Sequence, residues 1–159
     1  MIQIGIIGAG RIGRVHGESI SRYVKGARLK AVADPFLNDS IRQWAADTGI
    51  PCVTDDYRKI LEDPEIDAVL ICSSTDTHAQ ISIEAIRAGK HVFCEKPIDH
   101  KLARIHKVAD ELAKSDVKYQ VGFNRRFDHN FRTVRDAVAA GKIGEPHILR
   151  ITSRDPNPP

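Results

Sequence analysis

The strongest constraint on the fold is an alternation of short apolar runs rich in Ile and Val with longer amphipathic stretches. Residues 2–7, Ile-Gln-Ile-Gly-Ile-Ile, read as a first strand, and residues 11–24 as a first helix. Further strands are expected at 29–33, 52–53, 68–72, 91–94 and 119–122. Helices are expected at 38–48, 57–61, 77–88 and 100–114. In the second helix Ile41, Trp44 and Ala45 share one face, and Gly49 and Gly89 stand where a left-handed residue closes a helix. Strands separated by helices of this length pair in parallel through right-handed crossovers. All-apolar strands such as Ala68-Val69-Leu70-Ile71-Cys72 imply a sheet covered on both faces. The predicted fold class is α/β, a doubly wound parallel sheet.

Composition narrows the partners. At 159 residues the chain is long enough for one domain with a sizeable core. A net charge of +3 comes from scattered basic residues, not the concentrated face that a nucleic acid requires. Cys52, Cys72 and Cys94 form no CxxC pair, and two of them lie in apolar runs, so they read as small buried hydrophobes. No metal site is expected. No apolar stretch approaches the ~18 residues of a membrane span. Met1 leads directly into a strand pattern, so neither a signal peptide nor a membrane segment is expected, and a cytoplasmic location follows.

Chemistry begins at the first turn. Gly8-Ala9-Gly10-Arg11-Ile12-Gly13 follows a strand and opens a helix. In that context Gly8 permits the tight turn, Gly10 lets backbone approach a pyrophosphate, and Gly13 lets helix and strand pack closely. Amides of the helix start, including those of Arg11 and Ile12, would hold the phosphate charge. Asp34 ends the second strand, where a carboxylate can accept both ribose hydroxyls and repel a 2′-phosphate. No Arg or Lys stands between Asp34 and Arg42 to neutralise one, so NAD is expected over NADP. After the fourth strand come Ser73, Ser74, Thr75, Asp76, Thr77 and His78, at the sheet edge where ligands of open parallel sheets bind. Ser73, Ser74 and Thr75 are expected to touch the cofactor, with Thr77 or Asp76 as helix cap. For His78 a cofactor contact and an ordinary surface position are both open.

The fifth strand ends in Glu95-Lys96-Pro97. Oxidation of an alcohol by hydride transfer requires loss of the hydroxyl proton and stabilisation of alkoxide charge, which an ammonium group can supply. Position alone leaves a solvated lysine equally open. The combination of the glycine turn, Glu95-Lys96-Pro97 and Gly122-Phe123-Asn124-Arg125-Arg126-Phe127-Asp128 resembles the glucose-fructose oxidoreductase/inositol dehydrogenase family. Thr152-Ser153-Arg154-Asp155-Pro156 strengthens the likeness to its inositol dehydrogenase branch. The resemblance implies a Rossmann domain over residues 1–123, with 124–159 opening a second α+β substrate domain that is incomplete here. It implies an NAD-dependent enzyme acting on a polyol, Lys96 as catalytic residue, Arg126 near the substrate, and Glu95 and Asn124 at the nicotinamide end. It also implies an Asp-x-x-x-His proton relay, which this sequence does not contain, so the fragment alone is expected to be inactive. Another cyclic polyol or sugar is an alternative substrate, and a non-catalytic NAD sensor an alternative of another class.

Three structural expectations complete the reading. The Lys96–Pro97 peptide is a candidate for the cis isomer. Phe123 and Phe127 read as core, and Arg125 as a surface ion pair. A helix at 131–140, ended by Gly141, should lead through Pro146 into a strand at 147–153 with an unpaired edge. Disorder, folding back and pairing with a second copy are the outcomes open to that strand. Pairing is favoured, and with it a homo-oligomer.

Overall fold

The apolar runs become strands where neighbours can take up both of their faces. In the computed structural model, which describes residues 1–154, the chain falls into two units, Met1–Gly122 and Phe123–Pro159. The first is a doubly wound sheet of β1 (Ile2–Ile7), β2 (Ala27–Ala33), β3 (Cys52–Thr54), β4 (Ala68–Ile71), β5 (His91–Cys94) and β6 (Tyr119–Val121). All strand pairs are parallel, in the order β3-β2-β1-β4-β5-β6. The helices between them are α1 (Arg11–Tyr23), α2 (Asp39–Thr48), α3 (Arg58–Glu62), α4 (Thr75–Arg87) and α5 (Leu102–Leu112). Strand order reverses between β1 and β4, which opens a crevice beyond their carboxyl ends.

Period-2 alternation divides the core into two layers. Ile4, Ile6, Val32 and Leu70 face Ile41, Trp44 and Ala45 of α2. Ile7, Ala31, Ala33, Val69 and Ile71 face Ile60 of α3, Ala79, Ile81 and Ala85 of α4, and Val108 of α5. Ile6, Val32, Val69 and Ile71 are fully buried, and truncating an Ile of this kind to Ala costs about 2–5 kcal/mol. Below the sheet, at its amino end, the buried Lys90 donates from Nζ to the carbonyls of Asp63 (2.6 Å) and Ile66 (2.8 Å). It supplies a donor to the Ile66 carbonyl and a second one to the Asp63 carbonyl, which also accepts from the Ile66 amide.

Element ends differ from the sequence reading where a tertiary partner intervenes. Strand β2 starts at Ala27, not 29, because Ala27 and Arg28 pair with Ile2 and Gln3. Helix α4 starts two residues early, with Ser74 in the cap position and no side-chain cap bond, so neither Thr77 nor Asp76 is the cap. Helix α5 covers less than 100–114, since Asp99 Oδ1 accepts from the Lys101 amide and shapes the entry as a turn. Asn38 caps α2 by accepting from the Ile41 amide, and Gly49, Gly89 and Gly141 have positive φ.

The second unit contains a 3-10 turn, Asn124–Arg126, and α6 (His129–Ala139). Asp128 accepts from the Asn130 and Phe131 amides, which starts α6 two residues ahead of the expected 131. The expected strand at 147–153 is not formed: residues 147–153 have no regular structure and Ile148, Leu149 and Ile151 are exposed. A strand requires a ladder partner for its amides and carbonyls, and alternation alone does not provide one. Phe123 and Phe127 are exposed, not core, and the Arg125 guanidinium sits 4.9 Å over the Phe131 ring in place of an ion pair. Asp155 and Pro156, which carry part of the family resemblance, lie outside the described residues. Among the described residues no helix is long and apolar enough to cross a membrane, and no cluster of His, Cys, Asp or Glu is placed to hold a metal ion.

Candidate dinucleotide site

Where β1 ends, the chain turns on Gly8 at φ 99°, and a β-carbon there would lie 2.6 Å from the Cys72 carbonyl and the Ser73 nitrogen. A β-carbon on Gly13 would collide with the carbonyl oxygen of Gly8. These two glycines therefore let the turn, α1 and the end of β4 pack together. Gly10 differs: a β-carbon there would meet nothing within 4 Å. Gly10 occupies the cap position of α1 without a side-chain cap bond, and Arg11 and Ile12 of the first turn are exposed. The orphan amides of that turn thus face open space beside a bare backbone, a cradle of the shape and polarity that a pyrophosphate fits.

Asp34 binds this turn directly. Its Oδ2 accepts from the Ala9 amide at 2.8 Å and its Oδ1 from the Phe36 amide at 2.9 Å. Lone pairs remain on both oxygens for a ribose diol. The cleft beside it, about 470 Å³, is lined by Gly8, Asp34, Tyr57, Arg58, Ser73 and Thr77 among others. Asp55, Asp56 and Asp76 also border it. Arg58 reaches the cleft from the start of α3, a cation that the sequence around Asp34 does not reveal. Its guanidinium stacks 5.1 Å from the Tyr57 ring and lies 3.8 Å from Asp56. Tyr57 donates to Glu84 at 2.8 Å, and burial together with that carboxylate pushes its phenol up to about 12.

The loop after β4 is fixed by hydroxyls. Thr77 donates to the Ser74 carbonyl, which leaves the Ser73 hydroxyl to donate to Thr77 Oγ1, both at 2.7 Å. Ser73, Ser74 and Thr75 are at least partly accessible there, whereas His78 is buried at 2% exposure and does not line the cleft. Its ring nitrogens lie 2.8 Å from the Pro97 carbonyl and 2.9 Å from the Ser73 carbonyl.

At the end of β5, Lys96 is exposed and the Lys96–Pro97 peptide is cis. Glu95 beneath it is held on two sides: Oε1 pairs with His16 Nε2 at 2.8 Å, and Oε2 accepts from the Lys96 amide at 3.2 Å. His16 also meets Phe93 edge-on, with ring centroids 5.2 Å apart. The sequence reading missed His16. The signal was its position one turn beyond Gly13, on the face of α1 that the glycine turn presses toward the sheet. The first unit thus brings together the glycine turn, Asp34, Ser73–Thr75, Glu95 and Lys96 at the carboxyl edge of one sheet. Asn124 and Arg126 belong to the 3-10 turn of the second unit and are exposed there.

Comparison with known proteins agrees with this geometry. The chain is 46% identical over 158 residues to myo-inositol 2-dehydrogenase of Thermotoga maritima, covering 99% of this chain and 47% of that one. It is 44% identical over 158 residues to inositol 2-dehydrogenase of Rhizobium meliloti, again 99% and 47%. Among solved structures, a probable dehydrogenase from Thermotoga maritima superposes with a TM-score of 0.92 at 46% identity, covering 99% of this chain and 47% of that one. Scyllo-inositol dehydrogenase from Lactobacillus casei, with bound NAD(H) and scyllo-inositol, gives 0.85 at 35% identity, covering 91% and 43%. The chain spans about half the length of these relatives. Residues 2–123 match the oxidoreductase family with an NAD-binding Rossmann fold, and on that match, with the glycine cradle and Asp34 in place, the chain belongs to that family.

Proposed function

We propose that this chain forms the NAD site of a longer enzyme that oxidises a ring hydroxyl of myo-inositol to a ketone. The observation that carries the reading is Lys96: an exposed ammonium at the end of β5, on the sheet edge that also carries the glycine cradle. NAD binding alone requires no lysine at that place. Likeness to inositol dehydrogenases over 99% of the chain supports the substrate class.

In this reading the first-turn amides of α1 hold the pyrophosphate and Asp34 accepts the ribose hydroxyls, while Ser73, Ser74 and Thr75 border the cofactor. The chemistry that bound NAD⁺ would supply is acceptance of a hydride from the carbinol carbon, by which alcohol and NAD⁺ would give ketone, NADH and one proton. Lys96 donates to the reacting hydroxyl oxygen, orients it, and stabilises its negative charge as the proton leaves. Glu95, fixed by His16 and the Lys96 amide, keeps the backbone under Lys96 in one position. Arg126 and Asn124 are assigned to polyol and nicotinamide on family resemblance.

The test is made on a chain completed to the length of its relatives, in which NADH formation is followed with myo-inositol, scyllo-inositol and open-chain polyols. Turnover with an inositol as the best substrate is expected. A scyllo-inositol preference would match the Lactobacillus casei and Bacillus subtilis relatives of that name. NAD binding without turnover of any polyol would replace this reading with that of a binding module.

A further inference from the structure

His78 is buried at 2% exposure, and both of its ring nitrogens face carbonyl oxygens, Nδ1 that of Pro97 and Nε2 that of Ser73. A neutral imidazole carries one N–H and one lone pair. With two acceptors at 2.8 and 2.9 Å, a neutral ring would press its lone pair against a carbonyl lone pair. Only the doubly protonated ring satisfies both contacts. We infer that His78 is a buried imidazolium that clamps the loop after β4 to the Pro97–Ile98 peptide, one residue beyond Lys96, and is thereby a positioning residue for Lys96.

The surroundings fit a cation held by dipoles. Besides the two carbonyls, the Cys94 thiol of β5 adjoins the ring. Cys94 donates its own proton toward the Glu95 carbonyl at 3.3 Å, which turns sulfur lone pairs to its remaining neighbours. Beyond Cys94 lies the Tyr119 hydroxyl of β6, which shares a hydrogen bond with Ser82 of α4. Burial works against the charge, but Cys94 and the two carbonyls outweigh it and raise the imidazole to about 9. The clamp spans the two loops that matter to the site: the Ser73 carbonyl belongs to the loop bordering the cofactor cleft, and the Pro97 carbonyl lies one residue past Lys96. The positioning role rests on the reading of Lys96 given above. The protonation state can be measured without cofactor or substrate, so the two readings fail separately.

The experiment is nitrogen-15 NMR on this 159-residue chain, with labelled histidine and labelled backbone, from pH 5 to pH 10. Both His78 ring nitrogens should carry protons at pH 7, and the ring should titrate two or more pH units above an ordinary histidine. Amide nitrogens of Ser74 and Ile98 share peptide groups with the two accepting carbonyls. They should shift with the midpoint of the ring, and the Lys96 amide should shift with them. In Cys94→Ala both ring protons should persist, because the carbonyls remain. In His78→Gln the shared midpoint should vanish from Ser74, Lys96 and Ile98. A single ring proton at pH 7, loss of the second proton in Cys94→Ala, or a ring that titrates without moving the Lys96 and Ile98 amides would overturn the inference. The wild-type titration decides the question even if His78→Gln fails to fold.

Discussion

At the scale of single residues, Asp34 carries two duties that its place in the sequence advertises only in part. One, in the proposed reading, is selection of the ribose, suggested by its position after β2. The other is the hydrogen bond to the Ala9 amide, which ties the glycine turn to the neighbouring strand. Asp34→Ala should therefore weaken NAD by about 10–100-fold, the scale of one or two charge-assisted hydrogen bonds. It should also relax discrimination against NADP, though only in part, because Asp55, Asp56 and Asp76 still border the cleft. Calorimetry with both dinucleotides measures this, and unchanged selectivity would remove Asp34 from the ribose. Lys96 makes the opposite prediction. In a completed enzyme Lys96→Ala should lower kcat/KM for inositol by about 10²–10⁴, the range for a positioned proton-transfer or charge-stabilising group. NAD affinity should hardly change. Steady-state kinetics with near-normal turnover would return Lys96 to the solvated surface.

At the scale of elements, several groups packed around the central strands share one direction of titration. His78 is raised to about 9 and Tyr57 to about 12. Cys72 is also raised to about 12, by burial first and then by Glu95. A group raised on folding contributes stability that is complete below its unfolded value and lost as pH climbs through its folded one. For His78 that window runs from 6.5 to about 9, and Cys72 and Tyr57 extend it to about 12. Thermal melts should show the melting temperature falling from pH 7 to pH 10, at about 1.4 kcal/mol of stability per pH unit while one proton is lost. A melting temperature that rises over that interval would contradict the assignment. The same elements show what sequence can reveal. Every strand and helix of the sheet was readable, because period 2 and period 3.6 are written locally. So were the glycine turn and Asp34, whose spacing is a short-range pattern. His16 and Arg58 were not, since only the crossovers place α1 beside Glu95 and α3 beside the cleft. His78 was half readable: its place in α4 is local, but its burial depends on β5 and the loop beyond it. The strand at 147–153 failed for the complementary reason, a local pattern with no partner to complete it.

At the scale of the whole molecule, the two units differ in how they treat apolar side chains. The first has a buried core, though Tyr23, Phe36 and Leu102 of its surface are exposed, whereas the second has no buried hydrophobic residue among those described and exposes Phe127, Val134, Ile148 and Leu149 at 62–90%. Exposed apolar groups gathered on a small unit favour association. Light scattering over a range of concentrations should therefore give a mass that rises above 17.7 kDa; a mass constant at the single-chain value would refute this. Lys90 offers a different view of the same chain. Two of its three ammonium hydrogens go to carbonyls in the connection between α3 and β4 and the residue is buried, so acylation of the amine is expected to require that corner of the sheet to open. In a pulse of amine-reactive reagent the surface lysines would be marked at once and Lys90 last. Its rate of marking would then be a clock for the opening of the fold, readable peptide by peptide in a mass spectrometer.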